Sequence, residues 1–263
     1  MEIIYHEATP VVITELLPSG NLYEALYQRQ PLILGIPGNT AVSVMKQLLD
    51  VVRHLHELGI VHRAIKLDNL LIRSEDPLHI KLTGFELATP ITLHSPFFAV
   101  SGHVAPEVWE HHFRDGNSPQ IWDDMLEKRG HLATRPRPRR GMPVDIWSCG
   151  AVCCELTLET TPHYLDRSKS QDEQAAIYID YILEAEKVEP AKRAKVWAEQ
   201  LGLPLNSMSF QLRNFLQKLL HHDPGRRAKV EDCLENSWLM NGWEAEKEGE
   251  ETQEKASSKR RKL

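Results

Sequence analysis

Ile60-Val61-His62-Arg63-Ala64-Ile65-Lys66-Leu67-Asp68-Asn69-Leu70-Leu71-Ile72-Arg73 sets a charged loop between two short apolar runs. Apolar runs of this length, bounded by polar and turn-forming residues, read as short strands around a tight loop. A turn at Glu75-Asp76-Pro77 and the run His79-Ile80-Lys81-Leu82-Thr83 add a further strand. Just upstream, Val42, Met45, Leu48, Leu49, Val52, Leu55 and Leu58 recur at three- and four-residue spacing. That period predicts a helix from Thr40 to Leu58, with Gly59 as its stop.

Outward from this centre, Ile3 to Tyr5 and Val11 to Thr14 read as two strands, with His6-Glu7-Ala8-Thr9-Pro10 as a hairpin turn. Pro18-Ser19-Gly20-Asn21 breaks the chain, and Asn21 is placed to cap a helix from Leu22 to Gln28. Downstream, Val144 to Leu158 is nearly continuous apolar sequence and predicts a buried helix. Gln171 to Gln200 reads as an amphipathic, charged helix, and Phe210 to Leu220 as another, leading into Asp223-Pro224-Gly225-Arg226-Arg227. The balance is mostly α. His111 to Met142 holds the run Arg135-Pro136-Arg137-Pro138-Arg139-Arg140 and reads as a surface insertion. From Glu244 the six Glu precede most of the six Lys and Arg, as in a solvated tail.

The 263 residues are 41% hydrophobic and 26% charged, which excludes disorder throughout. A formal net charge of -6 argues against a protein built to coat nucleic acid. No apolar run reaches the roughly 18 residues of a membrane span, and the first residues lack the pattern of a signal peptide. The expectation is an intracellular protein without membrane or direct nucleic-acid binding. Cys149, Cys153, Cys154 and Cys233 read as buried thiols. His54-Leu55-His56-Glu57 has no third ligand at metal-site spacing, and these histidines, His111-His112 and His221-His222 are expected at the surface. No metal site is expected.

Five motifs, in order, resemble the large lobe of a eukaryotic protein kinase. His62 to Asn69 resembles the catalytic loop H-R-D-x-x-x-x-N, and Thr83-Gly84-Phe85-Glu86 stands where the D-F-G segment belongs. Ala105-Pro106-Glu107 matches A-P-E, Asp145-Ile146-Trp147-Ser148-Cys149-Gly150 resembles the D-x-W-S-x-G helix start, and Asp223-Pro224 with Arg227 resembles D-P-x-x-R. Lys66 with Asp68-Asn69 resembles the serine/threonine branch. The resemblance covers about residues 3 to 240 and implies an α+β, mostly α, kinase-like large lobe. In it, residues 1–20 form a residual β-hairpin and hinge with the small lobe largely absent, 21–240 the lobe with an insertion at about 111–142, and 241–263 a charged tail. Glu15, Leu16 and Leu17 are implied as hinge contacts for a nucleotide.

The resemblance also shows what has changed. Ala64 has a methyl group at the position of the catalytic base, and Gly84 has no side chain where the family places a magnesium carboxylate. Lys66 and Asn69 remain, but one neutral amide is a poor seat for Mg²⁺. Loss of a general base alone removes about 10² to 10⁴ in rate. Glu86 and Asp68 would need an altered backbone path to substitute. The retained residues have scaffold roles by resemblance: a buried Glu107–Arg227 ion pair, Asp145 hydrogen-bonded to the catalytic-loop backbone, Trp147 in the central helix, and His62 and Phe85 packed in the core.

The implied function is that of a pseudokinase, an inactive binding or regulatory module with a protein partner, an active kinase among the candidates, and with no cofactor, ATP and Mg²⁺ binding being weak or absent. Unpaired edges of the 3–14 hairpin and the apolar hinge at Leu16 and Leu17 favour a partner. Two alternatives stay open: an atypical or truncated serine/threonine kinase, and a truncated gene model or decaying duplicate. Lys259-Arg260-Arg261-Lys262 resembles a nuclear import signal, so nucleus or cytoplasm is the expected location. Thr89, Thr92 and Ser95 fall in what resembles an activation segment, open to phosphorylation by another kinase.

Overall fold

Helix formation over residues 38–57 follows from a stripe that has nowhere to go but inward. In the computed structural model, which describes residues 2–6, 9–28, 38–92, 103–114, 123, 127, 141–162, 170, 173, 201, 203–204 and 208–241, the stripe lies at the centre of the core. Strands β1 (Glu2–His6) and β2 (Thr9–Ile13) form an antiparallel hairpin pairing His6 with Thr9. The paired strands thus reach further toward each other than the expected five-residue turn. Helix α1 (Leu22–Tyr27) starts at Asn21, whose Oδ1 accepts the Glu24 N–H at 2.8 Å, as a cap should. Helix α2 spans Gly38–Glu57, and β3 (Ile60–Val61) follows.

β4 (Leu70–Glu75) and β5 (Leu78–Leu82) form a second hairpin, with Leu70 opposite Leu82. β6 (Thr89–Pro90) returns to pair with β3, Ile60 opposite Pro90. Helix α3 (Pro106–Arg114), α4 (Met142–Leu158), α5 (Phe210–Leu219), α6 (Val230–Leu234) and α7 (Ser237–Asn241) follow, and short 3-10 turns stand at Leu67–Asn69 and Phe85–Leu87.

The core sits between α2 and α4. Val44, Met45, Leu48, Leu49 and Val52 of α2 are wholly buried, and α2 packs on α4, β5 and α6. Each such side chain contributes about 1.5–3 kcal/mol by leaving water. α4 is buried on every side from Val144 to Cys154, which is why its apolar sequence shows no polar face. Gln47 fastens α2 to β5: its amide accepts from the Ile80 N–H and donates to the Leu78 carbonyl, both at 3.0 Å. α5 crosses α4 at Gly150, where an added Cβ would stand 2.6 Å from Leu220 Cδ2 and 3.0 Å from Leu219 Cβ. Gly150→Ala is expected to cost about 1–3 kcal/mol through overpacking, measurable by urea denaturation.

Several expectations need correction. Leu58 is 61% exposed, because α2 ends at Glu57 and the turn that follows swings it off the buried stripe. α3 runs through residues 111–114, at the edge of the segment expected as an insertion; Glu110 and Arg114 form a mostly buried pair at 2.8 Å on that helix. His56 and His111 are buried, not surface, residues. The helix expected over 171–200, the Arg135–Arg140 run, Ser95 and the charged tail lie outside the described residues, Glu173 excepted. All four cysteines are buried thiols outside any disulfide. Burial pushes the Cys233 thiol up to about 12 and that of Cys149 well above its ordinary value, so both stay protonated.

Candidate functional site

The polar loop 62–69 is hung from the first turn of α4. Asp145 is fully buried there; its Oδ2 accepts the His62 N–H at 2.8 Å and its Oδ1 accepts the Arg63 N–H at 2.8 Å. A carboxylate in the first turn of a helix also meets the positive end of the helix dipole. His56 Nε2 reaches the same Oδ2 at 3.0 Å, a third partner from α2 that motif reading misses. A signal for it exists: His56 stands four residues after Val52, on the apolar stripe. Arg63 holds a left-handed φ of 66°, rare for a residue with a side chain, and its Nε donates to the Leu87 carbonyl.

His62 closes the loop onto the segment after β5. Its Nε2 lies 3.0 Å from the Thr83 carbonyl, which can only accept, so Nε2 carries the proton. Nδ1 then accepts the Ala64 N–H at 3.2 Å. The ring is therefore neutral, and burial holds its pKa below the ordinary histidine value. Between the depressed folded pKa and the unfolded value near 6.5, the unfolded chain binds more protons, so stability falls as pH drops through that window. Urea denaturation from pH 7.5 to 5.5 should show that fall, and His62→Gln should flatten it. Phe85 packs edge-on against His62, centroids 4.7 Å apart. It is 46% exposed, contrary to the expected core position: only one face meets the loop among the described residues.

At the heart of the loop stands Ala64, whose carbonyl accepts Asn69 Nδ2 at 2.7 Å. The Asn69 carbonyl in turn accepts the Thr83 N–H at 2.9 Å. Lys66 and Asp68 face each other at 3.8 Å and are half-exposed, a geometry that contributes little. Gly84 sits at φ 82°, and a Cβ there would collide with Asn69 Nδ2 and stand 2.8 Å from Oδ1. Mg²⁺ needs several oxygen ligands, mostly carboxylate or water, in near-octahedral array. The residues do not fit it: a methyl at 64, no side chain at 84, and at Asn69 a single neutral amide oxygen in place of carboxylates. Among the described residues no group of three His, Cys, Asp or Glu could hold a metal ion.

Glu15, Leu16 and Leu17, expected as hinge contacts, differ from this loop in character. Glu15 pairs with the Lys81 ammonium, which holds its carboxyl below the ordinary range, and Leu16 is 87% exposed. Leu17 is half-buried. The segment that follows is stitched to β4, the Gly20 carbonyl accepting from the Ile72 N–H at 2.9 Å. Across the fold, Arg227 meets Glu107 through two hydrogen bonds, at 2.7 and 2.9 Å, with both side chains buried. Its guanidinium lies 5.1 Å over the Trp147 ring. His103, just before α3, pairs with Glu155 at 2.8 Å, and its carbonyl accepts from Ser148 Oγ at 2.9 Å.

Comparison with known proteins adds the following. A family model described as protein kinase domain matches residues 1–123 and 134–239. The chain is 28% identical over 243 residues to the serine/threonine-protein kinase zyg-8 of Caenorhabditis elegans, covering 90% of this chain and 25% of that protein. It is 26% identical over 253 residues to the hormonally up-regulated neu tumor-associated kinase of Mus musculus, covering 92% of this chain and 28% of that one. The chain thus spans about a quarter of the length of these two relatives. Among solved structures, the Rad53 kinase domain with SCD2, in complex with AMPPNP, is similar in fold with a TM-score of 0.51 at 23% identity, over 86% of this chain and 67% of that one.

Proposed function

Because this chain belongs to the protein kinase family, with the kinase-like fold described above, we propose that it is a member whose phosphoryl-transfer chemistry has been lost and whose lobe is kept as a binding or regulatory module. One observation carries the reading: where a base and a metal carboxylate should stand, the site presents a methyl at Ala64 and no side chain at Gly84, leaving one neutral amide, Asn69. Phosphoryl transfer depends on a proton acceptor for the attacking hydroxyl and on cation neutralisation of the phosphates. Neither is supplied at positions 64 and 84. Meanwhile Asp145, His62, Glu107 and Arg227 keep the packing of the lobe.

The partner we propose is a protein, an active kinase among the candidates, and the hinge around the exposed Leu16 is the surface offered to it. The Lys259–Lys262 cluster supports a nuclear location. A phosphate-transfer assay with labelled ATP, Mg²⁺ and a generic basic protein substrate tests the reading. No incorporation above the buffer blank is expected, and incorporation abolished by Asn69→Ala would sink it. A second reading, a serine/threonine kinase of atypical residues, is favoured by the retained Lys66 and by the kinase names of the relatives. It predicts that incorporation.

A further inference from the structure

Arg227 turns inward to Glu107, while its neighbour Arg226 is exposed and stands at the rim of a cavity of about 470 Å³ between α5 and α6. Asn214, Gln217, Lys218 and His221 line one wall, at the three- and four-residue spacing of a single helix face. Asp232 and Glu235, on α6 and its cap, line the other. The walls are fixed by the chain's own hydrogen bonds. The Ala228 N–H donates to the Lys218 carbonyl at 3.1 Å, the Asp223 N–H to His221 Nδ1 at 3.1 Å and the Gly225 N–H to Asp223 Oδ1 at 2.8 Å. With Nδ1 an acceptor, the neutral His221 ring carries its proton on Nε2, and burial holds its pKa below the ordinary histidine value. Asn214 Oδ1 takes the Asn236 amide at 3.4 Å, which leaves the Asn214 amide nitrogen as a donor. Lys218, Asp232 and Glu235 are exposed, and among the described residues no ion pair joins Lys218 to either carboxylate. Opposite charges therefore stand across the cavity without closing on each other.

We propose that this α5–α6 cavity docks a short extended segment of a protein partner that carries neighbouring acidic and basic side chains, the acid meeting Lys218 and Arg226 and the base meeting Asp232 and Glu235. The half-buried floor of Asn214, Gln217 and His221 supplies N–H donors and an amide acceptor, the groups that pair with a peptide backbone. Ala228 is the one apolar residue of the lining, whereas sites for drug-sized molecules are mostly apolar. The volume lies in the lower part of the range of about 300–1,000 Å³ for ligand sites, room for a short stretch of extended chain and not for a folded element. Because the charged rim is exposed, the occupant runs on over the surface at both ends of the cavity. Among the described residues His221, Asp232 and Glu235 do not gather as metal ligands, so the carboxylates are left for a cationic side chain. Walls already held in place keep the ordering cost of binding low. This surface is separate from the hinge and does not rest on the reading of positions 64 and 84.

The test is fluorescence anisotropy of the full chain with a labelled, end-blocked peptide of alternating glutamate and lysine. All-glutamate and all-lysine peptides of the same length are the comparisons, and free glutamate and free lysine serve as competitors. The alternating peptide is expected to bind more tightly than either single-charge peptide, and to weaken as salt is raised. Lys218→Ala and Glu235→Ala should each weaken it about two- to fivefold, the size of one exposed charge pair, with Tm unchanged because both side chains are exposed. Lys218→Glu should turn the preference toward the all-lysine peptide. Gln217→Leu should weaken binding at every salt concentration, as a hydrogen-bonding floor requires. Equal binding of the three peptides, or binding that none of these variants moves, would overturn the proposal. Displacement by free glutamate or lysine at the peptide's own concentration would make the cavity a small-molecule site, and a full-chain dimer broken by Lys218→Glu would make the occupant a second copy; either result also overturns it.

Discussion

Arg227→Ala is expected to lose about 3–5 kcal/mol of stability, the range for removing one partner of a buried ion pair. All of the Arg227 side-chain nitrogens are engaged. Nη1 donates to Glu107 and to the Pro143 carbonyl at 2.6 Å, Nη2 to Glu107, and Nε to the His221 carbonyl at 2.9 Å. One side chain thus joins α3, the start of α4 and the segment after α5. Truncation leaves the Glu107 carboxylate buried without its cation and the Trp147 ring without its cover. A domain stable by about 5–15 kcal/mol is then near its threshold at physiological temperature. Glu107→Leu/Arg227→Met should cost less than the single truncation, since no lone charge remains. Urea denaturation of the three chains measures both, and a loss below about 1 kcal/mol for Arg227→Ala, the size of an exposed pair, would contradict this account of the fold.

Asp145→Ala is the other large effect, also about 3–5 kcal/mol. The carboxylate satisfies the buried His62 amide and the part-buried Arg63 amide and faces the buried His56 ring. Each orphaned buried donor costs roughly 1–3 kcal/mol, so two amides and a ring nitrogen exceed what relaxation can recover. The loss is expected to be felt at the loop first. Hydrogen exchange at the His62 and Arg63 amides should quicken more than at Val44 or Leu48 of α2, whereas a uniform rise would mean that Asp145 serves global packing and not the loop.

How much of the fold and the site is legible in the sequence depends on range. The α2 stripe, the Asn21 cap and the buried α4 follow from neighbours within one or two turns, and the sequence carries such signals openly. The Glu107–Arg227 pair spans 120 residues, and no local period links its ends; only the family motifs reach it. His56 is misplaced when a polar residue on an apolar stripe is weighed by its polarity and not by its position. Phe85 is expected in the core because its contact with His62 can be foreseen and its open outer face cannot. The seat of Asn69 over Gly84 depends on a φ of 82° and on contacts of a few ångströms, quantities that residue types do not encode.

The most direct test of the central claim is thermal unfolding of the full chain alone, with saturating ATP and Mg²⁺, and with ATP and EDTA. Anything that binds the folded chain and not the unfolded one raises its Tm by mass action. A chain whose loop is closed by Asn69 and lacks both carboxylates should unfold in one cooperative transition, with no rise that depends on Mg²⁺. A clear Mg²⁺-dependent rise would contradict the account and make the chain a working nucleotide site.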